Sequence, residues 1–558
     1  MSNKETKELN IAPDLILYNG KIITVDEKST VAEAVAIKAG RFVAVGANDP
    51  VLSLASESTK RVNLQGHTVI PGLIDGHFRL LDRATAQKYG ANISLSDTVG
   101  DILNAVSEAT TRIPKGEVIT SNSGWFPQML KEGRDPTKEE LDGVAPEHLV
   151  ILRGEYIYLN SLALKQFNIT KDTPQPEYGW IEKDPATGEP TGVLMGDAAK
   201  LVGGVHLKFS DEQKSNALLW ALQECTKAGI TSIREGGISI PDLRFYHQLY
   251  RRGELPIRVS AQLSLNMALP IAEILSNFEQ FYLNNPIGDR NFQIDRASYI
   301  FADDEYNRSN LSTPIYNQRV PQDRVRRFHS TRDGSSEKIE QIVTGMAKLG
   351  ISGGILAGGD KAIDQVLDIL DRANDLYPLS DLRWVISQLF YPKERHLEKM
   401  KKLGVVITPM WHHYYYYPAL EVYHSKPVAQ TMDPFKMLIE SGVPVGLGSD
   451  VSSIPLNYFA AIYFLHTRNT WKWGPVNPDQ GISREQALRL LTINNAYVTF
   501  EEKEKGSIEW GKLADLLILS DDIMTVPVEK IPQIKPLVTM INGQVVYQDK
   551  DKTNFCFI

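Results

Sequence analysis

The sequence predicts an α/β protein, a (β/α)8 TIM-like barrel beside a small β-sandwich formed by the N- and C-terminal segments. Three observations predict it. Both ends are rich in short apolar runs separated by turn dipeptides. The long middle alternates strand-like and helix-like segments, the pattern of βα units around a parallel sheet. At the start of that middle, the apolar run Leu73 and Ile74 stops at Asp75, Gly76 and His77. A polar strand end of this kind is how a parallel barrel delivers side chains to its catalytic mouth.

Residues 12–70 are expected to form the first part of the sandwich. Apolar runs at 15–18, 21–25, 34–37 and 41–45 are separated by Asn19-Gly20 and Ala39-Gly40, both expected to be hairpin turns. Pro71-Gly72 then breaks the chain before the first barrel strand. Residues 71–495 are the expected barrel domain, in which 82–200 includes an insertion over the mouth, since the middle is much longer than a barrel of about 250 residues. Helical spacing is predicted over 101–109, 210–222, 337–349, 361–373, 396–403 and 434–441. Strands are predicted at 230–233, 352–357, 384–387 and 404–408, and a last barrel segment at 443–450. Residues 496–550 return to β-rich pattern and complete the sandwich, with Asn542-Gly543 as another turn.

Composition narrows the function classes. The chain has 558 residues, 42% hydrophobic and 23% charged, and a formal charge of −8. That balance is ordinary for a globular enzyme and lacks the basic footprint of a nucleic-acid binder. Two cysteines, Cys225 and Cys556, rule out a disulfide framework or a Cys-rich zinc site. The N-terminus shows no apolar signal region and no run is long enough for a spanning helix, so a cytoplasmic location is the default expectation. The expected partner is a small-molecule substrate, with neither nucleic acid nor membrane, and a homodimer is left open.

The stretch Pro71, Gly72, Leu73, Ile74, Asp75, Gly76, His77 resembles the first barrel strand of the amidohydrolase superfamily, whose usual form continues to a second metal-binding His. Here that second position is Arg79. Further markers resemble the amidohydrolase 3 branch, which includes N-substituted formamide deformylase. They include Gly124-Trp125, the run from Asp135 to Pro146, Asn160-Ser161, Phe301 to Asp303, and Gly448 to Asp450. The resemblance implies hydrolysis of a non-peptide, amide-type C–N bond at a centre of one or two divalent metals.

At the positions that the resemblance assigns to metal binding, this chain has other residues. Tyr299 stands for a bridging Lys, Leu356 and Ile386 for His residues, and Glu155 for another His. Only His77 and Asp450 match, and a guanidinium has no lone pair for a metal. The expected cofactor is therefore none, with a single divalent metal such as zinc as the alternative. His77 and Asp450 are expected to carry acid–base chemistry, with Arg79, Asp303 and Asp304 as further catalytic candidates. Arg79 is expected either to bind a carboxylate or oxyanion or to pair with Asp75, Asp82 or Asp450. Asp303 and Asp304 belong to an acidic run that either splits its pKa values or is a solvated loop. Tyr299, Trp125, Trp411, His413 and Glu155 are the candidate substrate contacts, on the expectation that the aromatic run 411–417 walls an aromatic or apolar substrate. Arg234 and Glu235 are expected to form an ion pair at the mouth. A metal-free isomerase or lyase, or a ligand-binding protein without turnover, are the alternatives.

Overall fold

The structure is a computed structural model. It describes residues 12–205, 208–280, 288–303, 309–313, 315, 319, 335–450, 454–553 and 555–557. Seven parallel strands form one sheet, in spatial order Leu73–Phe78, Ile230–Ile238, Arg258–Ser264, Phe292–Phe301, Ser352–Ala357, Val385–Gln388 and Val406–Pro409. Residues 443–450 close it into a barrel. They bridge the seventh strand through Ile407 with Val445 and Met410 with Gly448. On the other side Gly76 N–H donates to Leu447 O at 3.0 Å and Asp450 N–H to His77 O at 2.9 Å.

Helices cover the barrel because their apolar faces repeat at helical spacing. Asp211–Lys227 buries Ala217, Leu218, Ala221, Leu222 and Cys225. Its start is set by a capping box in which Ser210 accepts from Gln213 N–H. Helices Ser336–Lys348, Asp360–Leu376, Glu394–Lys402 and Phe435–Glu440 stand within a few residues of their expected positions.

The two chain ends form two sheets packed on the barrel. One is four-stranded and takes its strands from the N-terminal segment. The other is six-stranded and mixes Lys21–Ile23, Val31–Ala32 and Thr68–Pro71 with Leu516–Leu519, Pro536–Ile541 and Gln544–Gln548. One expected turn is corrected. Leu15–Tyr18 pairs with Ala34–Lys38 and Lys60–Asn63, whereas Lys21–Ile23 belongs to the other sheet, so Asn19-Gly20 is a crossover and not a hairpin. A Cβ at Gly20 would lie 2.5 Å from Leu64 Cδ1, so a side chain there would displace the end of Leu64. Ala39-Gly40 and Asn542-Gly543 do join antiparallel strands. Arg258 at the base of the third barrel strand clasps the sandwich, donating from Nε to Asp515 Oδ2 at 2.7 Å and from Nη2 to Asp515 Oδ1 at 2.9 Å.

The segment 82–200 carries a five-stranded sheet of its own. It rests on the helix His413–His424, which follows the C-terminal end of the seventh strand. The Phe126 and Tyr416 rings are 5.5 Å apart, and the Tyr156 and Tyr423 hydroxyls 3.2 Å. The insertion therefore sits on the mouth side of the barrel.

Candidate active site

Four side chains from different strand ends converge at the C-terminal mouth. His77 ends the first strand and Tyr299 lies near the end of the fourth. Gln388 ends the sixth, and Asp450 ends the closing segment. Asp450 Oδ1 is 3.7 Å from His77 Nε2 and 3.2 Å from Arg79 Nε. Its other oxygen accepts from Gln388 Nε2 at 2.7 Å. Tyr299 OH lies 3.4 Å from His77 Nε2. The backbone of Asp450 has φ +44°, a left-handed conformation that L-residues seldom adopt and that is often found where a site holds strain.

Glycines make the space for His77. A Cβ on Gly236 would lie 2.7 Å from His77 Cε1, and one on Gly448 would lie 2.6 Å from His77 Cβ. The imidazole is fully buried. Burial pushes its pKa down to about 3, with the Asp450 charge opposing and the Arg79 and Arg234 charges assisting. It is therefore a neutral base at ordinary pH. Beneath it Asp75 is also buried. It accepts from His77 N–H at 2.8 Å and from the Tyr458 hydroxyl. Burial raises its carboxyl to about 6, against those hydrogen bonds.

Arg79 has the most open side chain of the group at 35% exposed, while that of Asp450 is 11% exposed. Its guanidinium lies over the Tyr299 and Phe301 rings, at 5.4 and 5.5 Å from their centroids. Of the expected carboxylate partners it meets Asp450; the side chain of Asp82 lies outside the described residues. Tyr299, Phe301 and Leu356 form a small apolar cluster separate from the main core, on the lumen side of the fourth and fifth strands.

Several expected site residues take other positions. Asp303 is buried, and its two oxygens accept backbone N–H groups from Gly358 at 2.8 Å, Gly359 at 2.9 Å and Asn310 at 2.9 Å. It anchors the loops above the fourth and fifth strands, which corrects the expectation of acid–base work. Asp304 lies outside the described residues. Trp125 is a core residue of the insertion, donating from Nε1 to Arg153 O at 3.1 Å and packed 5.0 Å from Tyr158. Glu155 is half-buried in the hairpin between Leu149–Arg153 and Ile157–Leu159. Trp411 is fully buried against Tyr458, 5.6 Å between centroids. His413 and Asp433 form a fully buried pair at 2.8 Å. The run 414–417 belongs to a buried helix. These aromatic residues therefore pack under the insertion as buried side chains, where the expectation was a wall for the substrate.

Sequence reasoning missed other groups. Gln388 orients Asp450, and its signal was only its place at a strand end. His412, beside His413, places Nδ1 3.1 Å from Ser449 O. Burial holds it near pKa 3, and it feels the charges of Asp450 and His77. Arg234 and Glu235 do not pair with each other. Arg234 Nε donates to Asp295, and Glu235 accepts Leu80 N–H with both oxygens at 2.9 and 3.1 Å. Strand parity also corrects the sixth strand. Ile386 packs in the main core, while Ser387 Oγ meets Thr408 Oγ1 at 3.2 Å, so Ser387 is the lumen-facing residue.

The donor chemistry can be tested for a metal. Among the described residues no group of three or more His, Cys, Asp or Glu side chains is arranged to hold one. His77 and Asp450 are two donors, and Asp450 Oδ1 already faces the Arg79 cation. A protein metal centre of this type uses at least three protein ligands, so the described residues do not fit one. Other cavities lie away from this cluster. One of about 400 Å³ is lined by Pro241, Leu263 and Phe278, and does not reach His77.

A closed parallel barrel with polar side chains converging on its C-terminal mouth, and a sandwich made from both termini, is the architecture of a barrel enzyme. The comparisons agree with that class. A model of the amidohydrolase family matches residues 60–547, and the chain belongs to that family. By that membership it is a hydrolase acting on carbon–nitrogen bonds other than peptide bonds. The chain is 25% identical over 560 residues to N-substituted formamide deformylase of Arthrobacter pascens, covering 96% of this chain and 98% of that one. It is also 25% identical to putative amidohydrolase YtcJ of Bacillus subtilis (strain 168), over 96% and 99% of the two chains. The solved structure of an uncharacterized metal-dependent hydrolase from Pyrococcus horikoshii superposes with a TM-score of 0.71 at 21% identity, covering 92% of this chain and 99% of that one.

Proposed function

We propose that this amidohydrolase hydrolyses an amide-type C–N bond in a small substrate with an aromatic or apolar part, by acid–base chemistry that uses no metal. The observation that supports this reading is the cluster at the mouth, where His77, Arg79 and Gln388 all surround Asp450. Asp450 is the accessible base of the cluster. It takes a proton from a water, whose oxygen attacks the scissile carbonyl carbon. His77, neutral and 3.7 Å behind, steadies the proton on Asp450. The Arg79 guanidinium and the Tyr299 hydroxyl stabilise the oxyanion. The C–N bond then breaks, and the proton passes from Asp450 to the leaving nitrogen, giving a carboxylic acid and an amine. The apolar face made by Tyr299, Phe301 and Leu356 receives the apolar part of the substrate.

Two measurements test this. Metal content and turnover are measured with and without a chelator. Turnover that survives chelation, in protein lacking stoichiometric zinc, iron, manganese or nickel, is expected; near-stoichiometric metal sinks the reading. In Asp450→Asn, kcat is expected to fall by about 10²–10⁴, the usual contribution of a general base, with KM changed little. The full burial of His77 and Tyr299 favours a second reading, ligand binding without turnover. It would show as unchanged ligand affinity in Asp450→Asn and no turnover by either protein.

A further inference from the structure

Arg234 lies on the second barrel strand and is buried to 1% exposure. Its Nε is committed to Asp295, on the fourth strand. Its Nη1 and Nη2 are buried and have no hydrogen-bond partner among the described residues. A guanidinium normally meets its N–H groups when it is taken out of water, because unmet buried donors are costly. The chain positions Arg234 close enough for its charge to bear on His77. Two residues on, Gly236 presents no side chain, and any Cβ there would strike the His77 ring. The imidazole thus has as a neighbour in the barrel a cation with its fork of donors unspent. His77 is neutral, so Arg234 is the cation available to a ligand there, and Asp295 already offsets part of its charge. A planar, monovalent, two-oxygen anion fits that fork, whereas a dianion would face Asp295 and Asp75 with one guanidinium to balance it.

We propose that Arg234 anchors a carboxylate-binding site inside the barrel, beneath His77. The ligand is a small carboxylate held bidentately by Nη1 and Nη2. Identifying it with a carboxylate of the reaction, either the acid product or a carboxylate already on the substrate, rests on the hydrolase reading above. The binding itself does not.

The test is calorimetric titration of the full chain with sodium acetate and with N-acetylglycine, at constant ionic strength set by chloride. Saturable binding of at least one carboxylate is expected, at least tenfold weaker in Arg234→Gln and retained in Arg79→Gln and Asp450→Asn. Acetate binding as tightly as N-acetylglycine assigns the site to the acid product; N-acetylglycine binding much more tightly assigns it to a carboxylate on the substrate. Absence of saturable carboxylate binding by the wild type overturns the proposal. So does binding lost in Arg79→Gln but kept in Arg234→Gln. Should Arg234→Gln fail to fold, Arg234→Lys keeps the charge and removes the fork. The same tenfold loss is expected there, and wild-type affinity in that variant overturns the assignment. Full turnover by Asp450→Asn would instead sink the hydrolytic mechanism and leave carboxylate binding untouched.

Discussion

Residue by residue, the site is a matter of what surrounds His77. Its imidazole fits only because Gly236 and Gly448 carry no side chain. Gly236→Ala places a methyl 2.7 Å from Cε1, closer than real Cβ contacts allow, and both neighbours are held in strands. The ring must turn away from Asp450. We expect a loss of about 1–3 kcal/mol of stability, the usual cost of overpacking, and a fall in kcat larger than any rise in KM. Unchanged kcat in folded Gly236→Ala would show that His77 has no part in turnover. His77 and Asp450 were legible in the sequence because each ends an apolar strand. Gln388, His412 and Arg234 were not legible as partners, because what they touch is set by strand neighbours tens to hundreds of residues away. Asp303 looked like a site residue for the same reason that His77 did, and only its hydrogen bonds tell the two apart.

At the scale of the element, the barrel strands and their covering helices were visible as periodicity, whereas which face of a strand meets the lumen was not. The sixth strand is only four residues long, Val385–Gln388, and so short a run shows no clear alternation, so parity has to come from neighbours. The aromatic run after the seventh strand misled in the same way. Burial and chemistry ask for the same residues there, and packing under the insertion took them. Asp303 is the clearest test at this scale. Its carboxylate ties Gly358 and Gly359, at the start of helix Asp360–Leu376, to Asn310 through three backbone N–H groups. Asp303→Ala leaves those donors unmet, and a loss of about 2–4 kcal/mol is expected at roughly 1 kcal/mol or more per group. Turnover per folded molecule should stay within a few-fold of wild type. A loss of a hundredfold or more in kcat, with stability intact, would return Asp303 to the catalytic machinery.

For the whole molecule, the sandwich and barrel were legible because both chain ends share one pattern. The crossing at Asn19-Gly20 was not, since a turn dipeptide does not say which sheet the next strand joins. The folded barrel also sets a pH dependence that no local stretch predicts. His77 and His412 are held near pKa 3 by burial, well below the ordinary value of 6.5. Each contributes stability that is present above pH 6.5 and is lost as pH falls toward 3. Asp75 acts in the opposite sense. Its carboxyl is raised to about 6, so its contribution is full below about pH 4 and is lost as pH rises through 6. Between pH 4 and 6 the two imidazoles together outweigh the single carboxyl by roughly one proton. Taken alone, these groups make stability fall by about 1.4 kcal/mol for each unit of acidification. Replacing His77 by Gln removes one of the two imidazoles and should bring that slope close to zero from these groups. Urea unfolding at pH 6, 5 and 4.5 measures it directly. A variant whose slope equals that of the wild type would mean that His77 is not held neutral in the fold, and the neutral imidazole that steadies the proton on Asp450 in the proposed chemistry would go with it.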